Sequence, residues 1–244
     1  MNRILKFELY KLFRQKSFYV CTVITAALIF ISALSTNTLS GTEGFDTAGW
    51  KFAANAPGNG QFQLMISIFT ALFICEDFDQ NTMKNIISKG YGRESIYIGK
   101  YITSFISAVI MYAADIITAF AVGTALWGSG EADGYIRIIF TQLLVLMGYH
   151  AFFYAVSIIL GKTGSAIAVS IVGPMMISLV LALGDTLLKL KGFKFSNYWI
   201  DKFMQIASDT SAASGKLIVA VILSVVYGAV FLAAGFTLNR KKQF

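Results

Sequence analysis

Six long apolar stretches decide what this 244-residue chain can fold into. Each approaches or exceeds the roughly 20 residues that an α-helix needs to cross the hydrocarbon core of a bilayer. Because a membrane offers no water to unpaired backbone groups, such stretches are expected to be helices. The sequence therefore predicts an all-α integral membrane protein with six transmembrane helices. The predicted spans are residues 17–36, 61–78, 98–126, 135–160, 165–184 and 216–238.

The composition supports a membrane protein. Only 14% of the residues are charged, whereas a soluble domain carries about a quarter, and the mean hydropathy is +0.67. The net charge of +7 does not indicate a nucleic-acid partner, because the cations cluster at the ends of the spans. Two cysteines, Cys21 and Cys75, are too few for a disulfide framework and are expected to be reduced packing residues.

The distribution of Lys and Arg predicts the orientation. If the N-terminus is cytoplasmic, the inner segments carry 13 of the 20 cations, as the positive-inside rule requires. Those segments are 1–16, 76–100, 161–165 and 239–244. We therefore expect a multi-pass protein of the plasma membrane with both termini in the cytoplasm.

Residues 1–16 are predicted to form an amphipathic helix lying flat on the anionic cytoplasmic leaflet. The segment carries five cations and one acid. A charged signal-peptide start is the alternative, but the apolar run Ser17–Leu34 is long for a signal core. The apolar stripe of the predicted helix consists of Leu5, Leu9, Leu12 and Phe13.

The polar stretch between the second and third spans contains one short helical pattern, residues 82–90. Met83, Ile86 and Ile87 make a small apolar face, and Gly90 supplies a stop that tolerates positive φ. A helix this short is not stable alone in water. It therefore either rests on lipid headgroups or fits a socket on a soluble partner.

Glu76, Asp77 and Asp79 follow the second span, where a helix C-terminus disfavours negative charge. We expect a cation to compensate them, either from this chain or from another subunit.

Two outer segments differ in character. Residues 37–60 are rich in Gly, Thr, Asn and Ala and are predicted to be a polar loop. Residues 185–214 are amphipathic, which predicts one or two short helices on or dipping into the outer leaflet. The expected anchors are Phe193, Phe195, Tyr198 and Trp199.

Asp115 and His150 are ionisable residues inside predicted spans, which makes them functional candidates. They could be satisfied polar groups, the lining of a substrate pathway, or a proton relay. The relay would make the chain a proton-coupled secondary carrier.

No catalytic, metal or cofactor site is predicted. Gly161-Lys162-Thr163 resembles the end of a phosphate loop, but the first glycine of that motif is replaced by Val156 inside an apolar span. The chain has a single His and neither the H-E-x-x-H nor the G-x-S-x-G motif.

Two segments resemble the membrane subunit of ABC-2-type ABC transporters: the opening LKFELYKLFRQKSFY and the stretch EDFDQNTMKNIISKGYGRESIYIGKYI. The family pattern is an acidic end of span two, a short helix beginning Gly-Thr, and a charged turn into span three. Here Asn81 replaces the usual glycine. The resemblance implies an elbow helix at 1–16, a single six-helix transmembrane domain at 17–244, and a cytoplasmic coupling helix at about 82–90.

The resemblance also implies partners. They are two copies of a separate ATPase, which binds ATP and Mg, a second permease chain (identical or related), and membrane lipid. It implies a bacterial exporter of amphipathic peptides, similar to those for bacitracin-like antibiotics, lantibiotics or phenol-soluble modulins. A non-transporting sensor or assembly protein remains the alternative. The implied ATPase-coupling residues are Glu76, Asp77, Asp79, Thr82, Met83, Lys84, Ile86, Ile87, Lys89, Gly90 and Arg93.

Overall fold

The computed structural model describes residues 2–39, 47–80, 82–132, 134–188, 194–209 and 214–241, and all regular structure within them is helical. Two 3-10 helices, Ala56–Asn59 and Phe195–Tyr198, accompany ten α-helices in these ranges. The α-helices are α1 (Asn2–Arg14), α2 (Lys16–Leu39), α3 (Gly49–Asn55), α4 (Gln61–Asp79), α5 (Thr82–Ser88), α6 (Arg93–Trp127), α7 (Tyr135–Leu160), α8 (Thr163–Leu188), α9 (Ile200–Ser208) and α10 (Ser214–Lys241).

Six of these helices are long and apolar enough to cross a membrane: α2, α4, α6, α7, α8 and α10. They correspond one to one to the predicted spans, which confirms the predicted all-α fold class. The largest shift of a single boundary is at the third span, where α6 begins at Arg93 and the prediction begins at residue 98. Its first turn thereby includes Glu94, where an acid interacts favourably with the helix dipole.

Helix α7 is the most deeply buried span, and small residues let α10 approach it closely. A Cβ atom on Gly148 of α7 would lie 2.3 Å from the carbonyl oxygen of Ser224 on α10. A Cβ on Gly228 of α10 would meet the Cα of Gly148 at 3.4 Å. The Ser224 hydroxyl donates to the carbonyl oxygen of Val145 (2.8 Å). This crossing therefore follows the small-residue packing of membrane helices.

The prediction of a polar loop over residues 37–60 is wrong for the second half of that range. Residues 49–59 form α3 and a 3-10 helix, and Phe52 is buried against α6. Glycines permit this packing, because a Cβ on Gly123 of α6 would lie 3.1 Å from the Cα of Gly49. Residues 49–59 therefore cover the C-terminal end of α6.

Helix α9 dips into the bundle instead of resting on the lipid surface. It packs between α7 and α10, and its apolar residues Ile200, Phe203 and Met204 are almost fully buried. Just before α9, the indole Nε1 of Trp199 donates to the carbonyl oxygen of Pro174 in the interior of α8 (3.2 Å).

The expected anchors of the outer segment are placed differently from one another. Phe195 and Tyr198 are about two-fifths exposed, as lipid-facing anchors would be, whereas Trp199 is buried in the protein. Phe193 lies outside the described residues.

Helix α1 turns a different face to the bundle from the predicted stripe. Ile4, Glu8 and Leu12 are buried, while Leu5 and Leu9 are half-buried. Phe13, a predicted member of the stripe, is 49% exposed. The physical reason is that Glu8 pairs with a buried lysine of α6, which rotates the acid inward.

Candidate functional site

The site is built around the carboxylate of Asp77, near the end of α4. Its Oδ1 accepts hydrogen bonds from Lys11 Nζ on α1 (2.7 Å) and from Thr82 Oγ1 at the start of α5 (2.8 Å). Its Oδ2 accepts from Lys100 Nζ near the start of α6. One buried carboxylate therefore ties α1, α5 and α6 to the end of α4.

A second carboxylate completes the charge balance. Lys100 Nζ lies 2.9 Å from Glu8 Oε1, and both side chains are fully buried. Buried charges are tolerated when opposite charges and hydrogen bonds compensate them. We call Glu8, Lys11, Asp77 and Lys100 the ionic cluster; its two lysines balance its two acids.

An aromatic ring also supports the ionic cluster. The centroid of Phe73 lies 5.3 Å from Lys11 Nζ and 5.8 Å from Lys100 Nζ. A cation near an aromatic face is attracted to the negative charge of the ring surface, and the attraction grows when water is excluded. Phe73 therefore helps to hold both ammonium groups at the end of α4.

The other two predicted acids also have partners within the chain. Glu76 Oε2 accepts from Gln15 Nε2 (3.0 Å) and lies 3.4 Å from Lys11 Nζ. Asp79 Oδ2 accepts from Thr163 Oγ1 at the start of α8 (2.6 Å). This chain therefore itself supplies a cation for Glu76 and Asp77 and a hydroxyl donor for Asp79.

The apolar face of α5 packs on this chain. Met83 is 4% exposed and forms a cluster with Ile4 of α1 and Ile96 of α6. Ile86 and Ile87 are partly buried against the same cluster. The sequence predicted that this apolar face contacts a partner or lipid. In the structure it packs largely against the transmembrane domain of its own chain.

The opposite face of α5 is open. Gly90 has φ of 85° and ends the helical turn, as predicted. Arg93, the last of the predicted coupling residues, begins α6, and the side chain of Lys84 lies outside the described part of the chain. The exposed side chains of this face are Asn85, Ser88 and Lys89.

Asp115 and His150 do not form a direct pair. His150 of α7 lies among the rings of Tyr101, Phe105 and Tyr154, with centroids between 5.4 and 6.5 Å away. Asp115 lies ten residues beyond Phe105 along α6, which is about 15 Å in a helix. Both side chains are buried, but at different depths of the bundle.

Three of the four residues of the ionic cluster were not predicted from the sequence: Glu8, Lys11 and Lys100. A signal for two of them was present. Lys100 falls inside the predicted span 98–126, where an ionisable residue indicates a function or a partner. Glu8 is the single acid among the cations of residues 1–16.

Among the described residues, no group of three His, Cys, Asp or Glu side chains could hold a metal ion. Gly161 has φ of 65° and caps the end of α7, and Lys162 completes the short turn before α8. The arrangement suits mechanical attachment of helices.

Six candidate spans, with a short helix fixed between the second and the third, define a multi-pass membrane protein. Residues 4–185 match the family model of the ABC-2 family transporter proteins. Because this match covers well over half of the chain, the chain belongs to that family and is the membrane component of an ABC transporter. Such permeases normally work with an ATP-binding cassette ATPase. No match was found among the curated proteins with which the chain was compared.

Proposed function

We propose that the chain is the permease of an ATP-driven exporter, with α5 as the coupling helix that contacts a separate ATPase. The observation that carries this proposal is the attachment of α5 to Asp77 through Thr82. Since Asp77 also binds Lys11 and Lys100, a displacement of α5 acts on α1, α4 and α6 together. An ATPase that moves this one helix therefore moves several parts of the membrane domain.

The proposed assembly contains two permease chains and two ATPase subunits, which bind ATP and Mg. The apolar outward faces of α8 and α10 suit lipid and a second permease chain, because few of their residues are buried within this one. The proposed substrate is an amphipathic or hydrophobic peptide, moved out of the cell.

The exposed face of α1 suits contact with the cytoplasmic leaflet. It combines three aromatic side chains with three cations, a pattern that favours anionic headgroups. These residues are Phe7, Tyr10, Phe13, Arg3, Lys6 and Arg14. A proton-coupled carrier is not proposed, because Asp115 and His150 lie too far apart for direct transfer.

Replacing Ser88 by Trp is expected to weaken binding of the cognate ATPase about tenfold or more, which corresponds to roughly 1.4 kcal/mol. Ser88 is exposed on α5, so the bulky indole obstructs the proposed contact with the ATPase without disturbing the fold of the permease. The measurement is co-purification and titration of the ATPase with permease in nanodiscs. Ser129→Trp, at an exposed position between α6 and α7, is the matched control. Equal ATPase binding by both variants would show that α5 is not the coupling helix.

Met83→Asp tests the attachment of α5 to its own transmembrane domain, which is distinct from the contact of α5 with the ATPase. Met83 is buried against Ile4 and Ile96, so an aspartate there buries an unpaired charge and lowers the stability of the chain itself. Ser88→Trp should leave the thermal unfolding midpoint unchanged, whereas Met83→Asp should lower it.

The proposed orientation can be tested with single cysteines in a variant lacking Cys21 and Cys75. Glu131 precedes α7 and Lys162 follows it, and both are exposed. With cytoplasmic termini, Glu131→Cys reacts with an impermeant maleimide on intact cells. Lys162→Cys reacts only after the cells are permeabilised. The reverse pattern would overturn the orientation.

A further inference from the structure

A cavity of about 290 Å³ lies between the outer end of α4, the middle of α7 and α8, and helix α9. This volume is near the lower end of the roughly 300–1,000 Å³ typical of ligand sites. Its apolar walls include Phe153 and Ile171. Leu64 and Met175, also lining residues, are 39% and 64% exposed, so the cavity is open to the surroundings of the bundle.

A carboxylate faces this cavity with one oxygen uncommitted. The hydroxyl of Tyr149 donates to Asp201 Oδ1 (2.5 Å), and both residues line the cavity. Among the described residues, no donor reaches Asp201 Oδ2. Tyr149 therefore orients the carboxylate and leaves its second oxygen for another donor.

Two further lining atoms lack hydrogen-bond partners within the described part of the chain. They are the hydroxyl oxygen of Ser170, whose side chain is 2% exposed, and Oε1 of Gln63. In addition, Pro174 has no N–H for the carbonyl oxygen of Ser170, so this helical turn has one more free acceptor. Buried polar atoms without protein partners are rare in folded proteins and are normally met by an ordered water or a bound polar group.

The cavity is rich in acceptors and has no cation of its own. None of its described lining residues is Lys or Arg. The neighbouring Lys202 donates to Gln205 at the rim (3.2 Å). A group with several N–H donors and a positive charge complements this lining, because charge-assisted hydrogen bonds are the strong ones.

We propose that this cavity binds the primary ammonium group of an amphipathic molecule, such as a peptide amine or lysine side chain. The ammonium lies against Asp201, Ser170 and Gln63, and the attached chain contacts Phe153 and Ile171. Transport of the bound molecule rests on the proposed function. Its binding to the cavity does not depend on that function.

The test compares n-octylamine with n-octanol, which share an apolar chain and differ in the ammonium group. Binding to the full chain in phosphatidylcholine nanodiscs is measured by titration calorimetry, with empty nanodiscs subtracted. We expect the amine to bind about tenfold tighter or more than the alcohol. Asp201→Asn, which keeps the shape of the side chain, should abolish this preference, and Glu131→Gln on the exposed outer loop should retain it.

Equal binding of the two probes to the wild type would overturn the proposal, and so would a preference that persists in folded Asp201→Asn. If Asp201→Asn does not fold, Met175→Trp takes its place. That exposed rim position tolerates a large side chain that closes the cavity, so an undiminished amine preference would also refute the site. ATPase binding is measured on the same samples. If the chain binds the ATPase but does not prefer the amine, the ammonium site is refuted and the proposed coupling to the ATPase is not.

Discussion

Replacing Lys100 by Met is expected to destabilise the chain by about 3–5 kcal/mol, because breaking a buried ion pair leaves uncompensated charge. Glu8 loses its partner in the ionic cluster, and of its two lysine partners Asp77 retains Lys11. The thermal unfolding midpoint in detergent should fall by on the order of 10 °C for a chain of this size. Static light scattering during heating measures this shift.

Two further variants make the test specific for the ionic cluster. Lys6→Met removes the same charge from an exposed position of α1 and should change stability by less than about 0.5 kcal/mol. Adding Glu8→Gln to Lys100→Met should restore part of the loss, because the amide carries no charge. If Lys100→Met behaves like Lys6→Met, the ionic cluster does not hold the helices together.

Replacing Gly148 by Ala is expected to lower the free energy of unfolding by about 1–3 kcal/mol or more, as overpacking does in cores. The new Cβ would lie 2.3 Å from a backbone oxygen of Ser224, so the helices α7 and α10 must move apart. The same movement breaks the hydrogen bond from Ser224 to Val145. Reduced thermal stability and aggregation on gel filtration are the expected measurements.

Gly184→Ala provides the matched control for this substitution. Gly184 lies in α8, and no atom lies within 4 Å of the position that its Cβ would take. Alanine there should be neutral or slightly stabilising, because glycine is the poorer helix former. Similar losses in the two variants would contradict the packing role of Gly148.

The spans and α5 were predictable because their signals are local. Length and hydropathy define a membrane helix within one segment. The apolar spacing from Met83 and the stop at Gly90 define α5 in the same way. No knowledge of neighbouring segments is needed for either.

The ionic cluster was not predictable in the same way, because it joins segments far apart in the chain. Lys11 and Asp77 are separated by 66 residues. A helical wheel ranks Glu8 as a polar position that should face water, and only the buried Lys100 reverses that assignment. The predicted face of α1 was therefore rotated from the observed one.

The placement of α9 shows a second limit. An amphipathic helix on a lipid surface and one inserted into a groove have the same sequence pattern. The difference depends on the space that α7 and α10 leave between them, and on the carbonyl group of Pro174 that Trp199 reaches. Neither property is encoded in the segment itself.

Helix α6 is one rod of 35 residues without a proline, about 52 Å long, and so much longer than the roughly 30 Å hydrocarbon core. The ionic cluster holds its N-terminal part through Lys100, and α3 packs against its C-terminal part at Gly123. A helix of this length without a kink can tilt as one rigid body. A tilt of about 5° around its midpoint carries each end roughly 2 Å in opposite directions, given that length. If α6 tilts as a rigid body, a displacement of its end at the ionic cluster is accompanied by an opposite displacement of its end at α3.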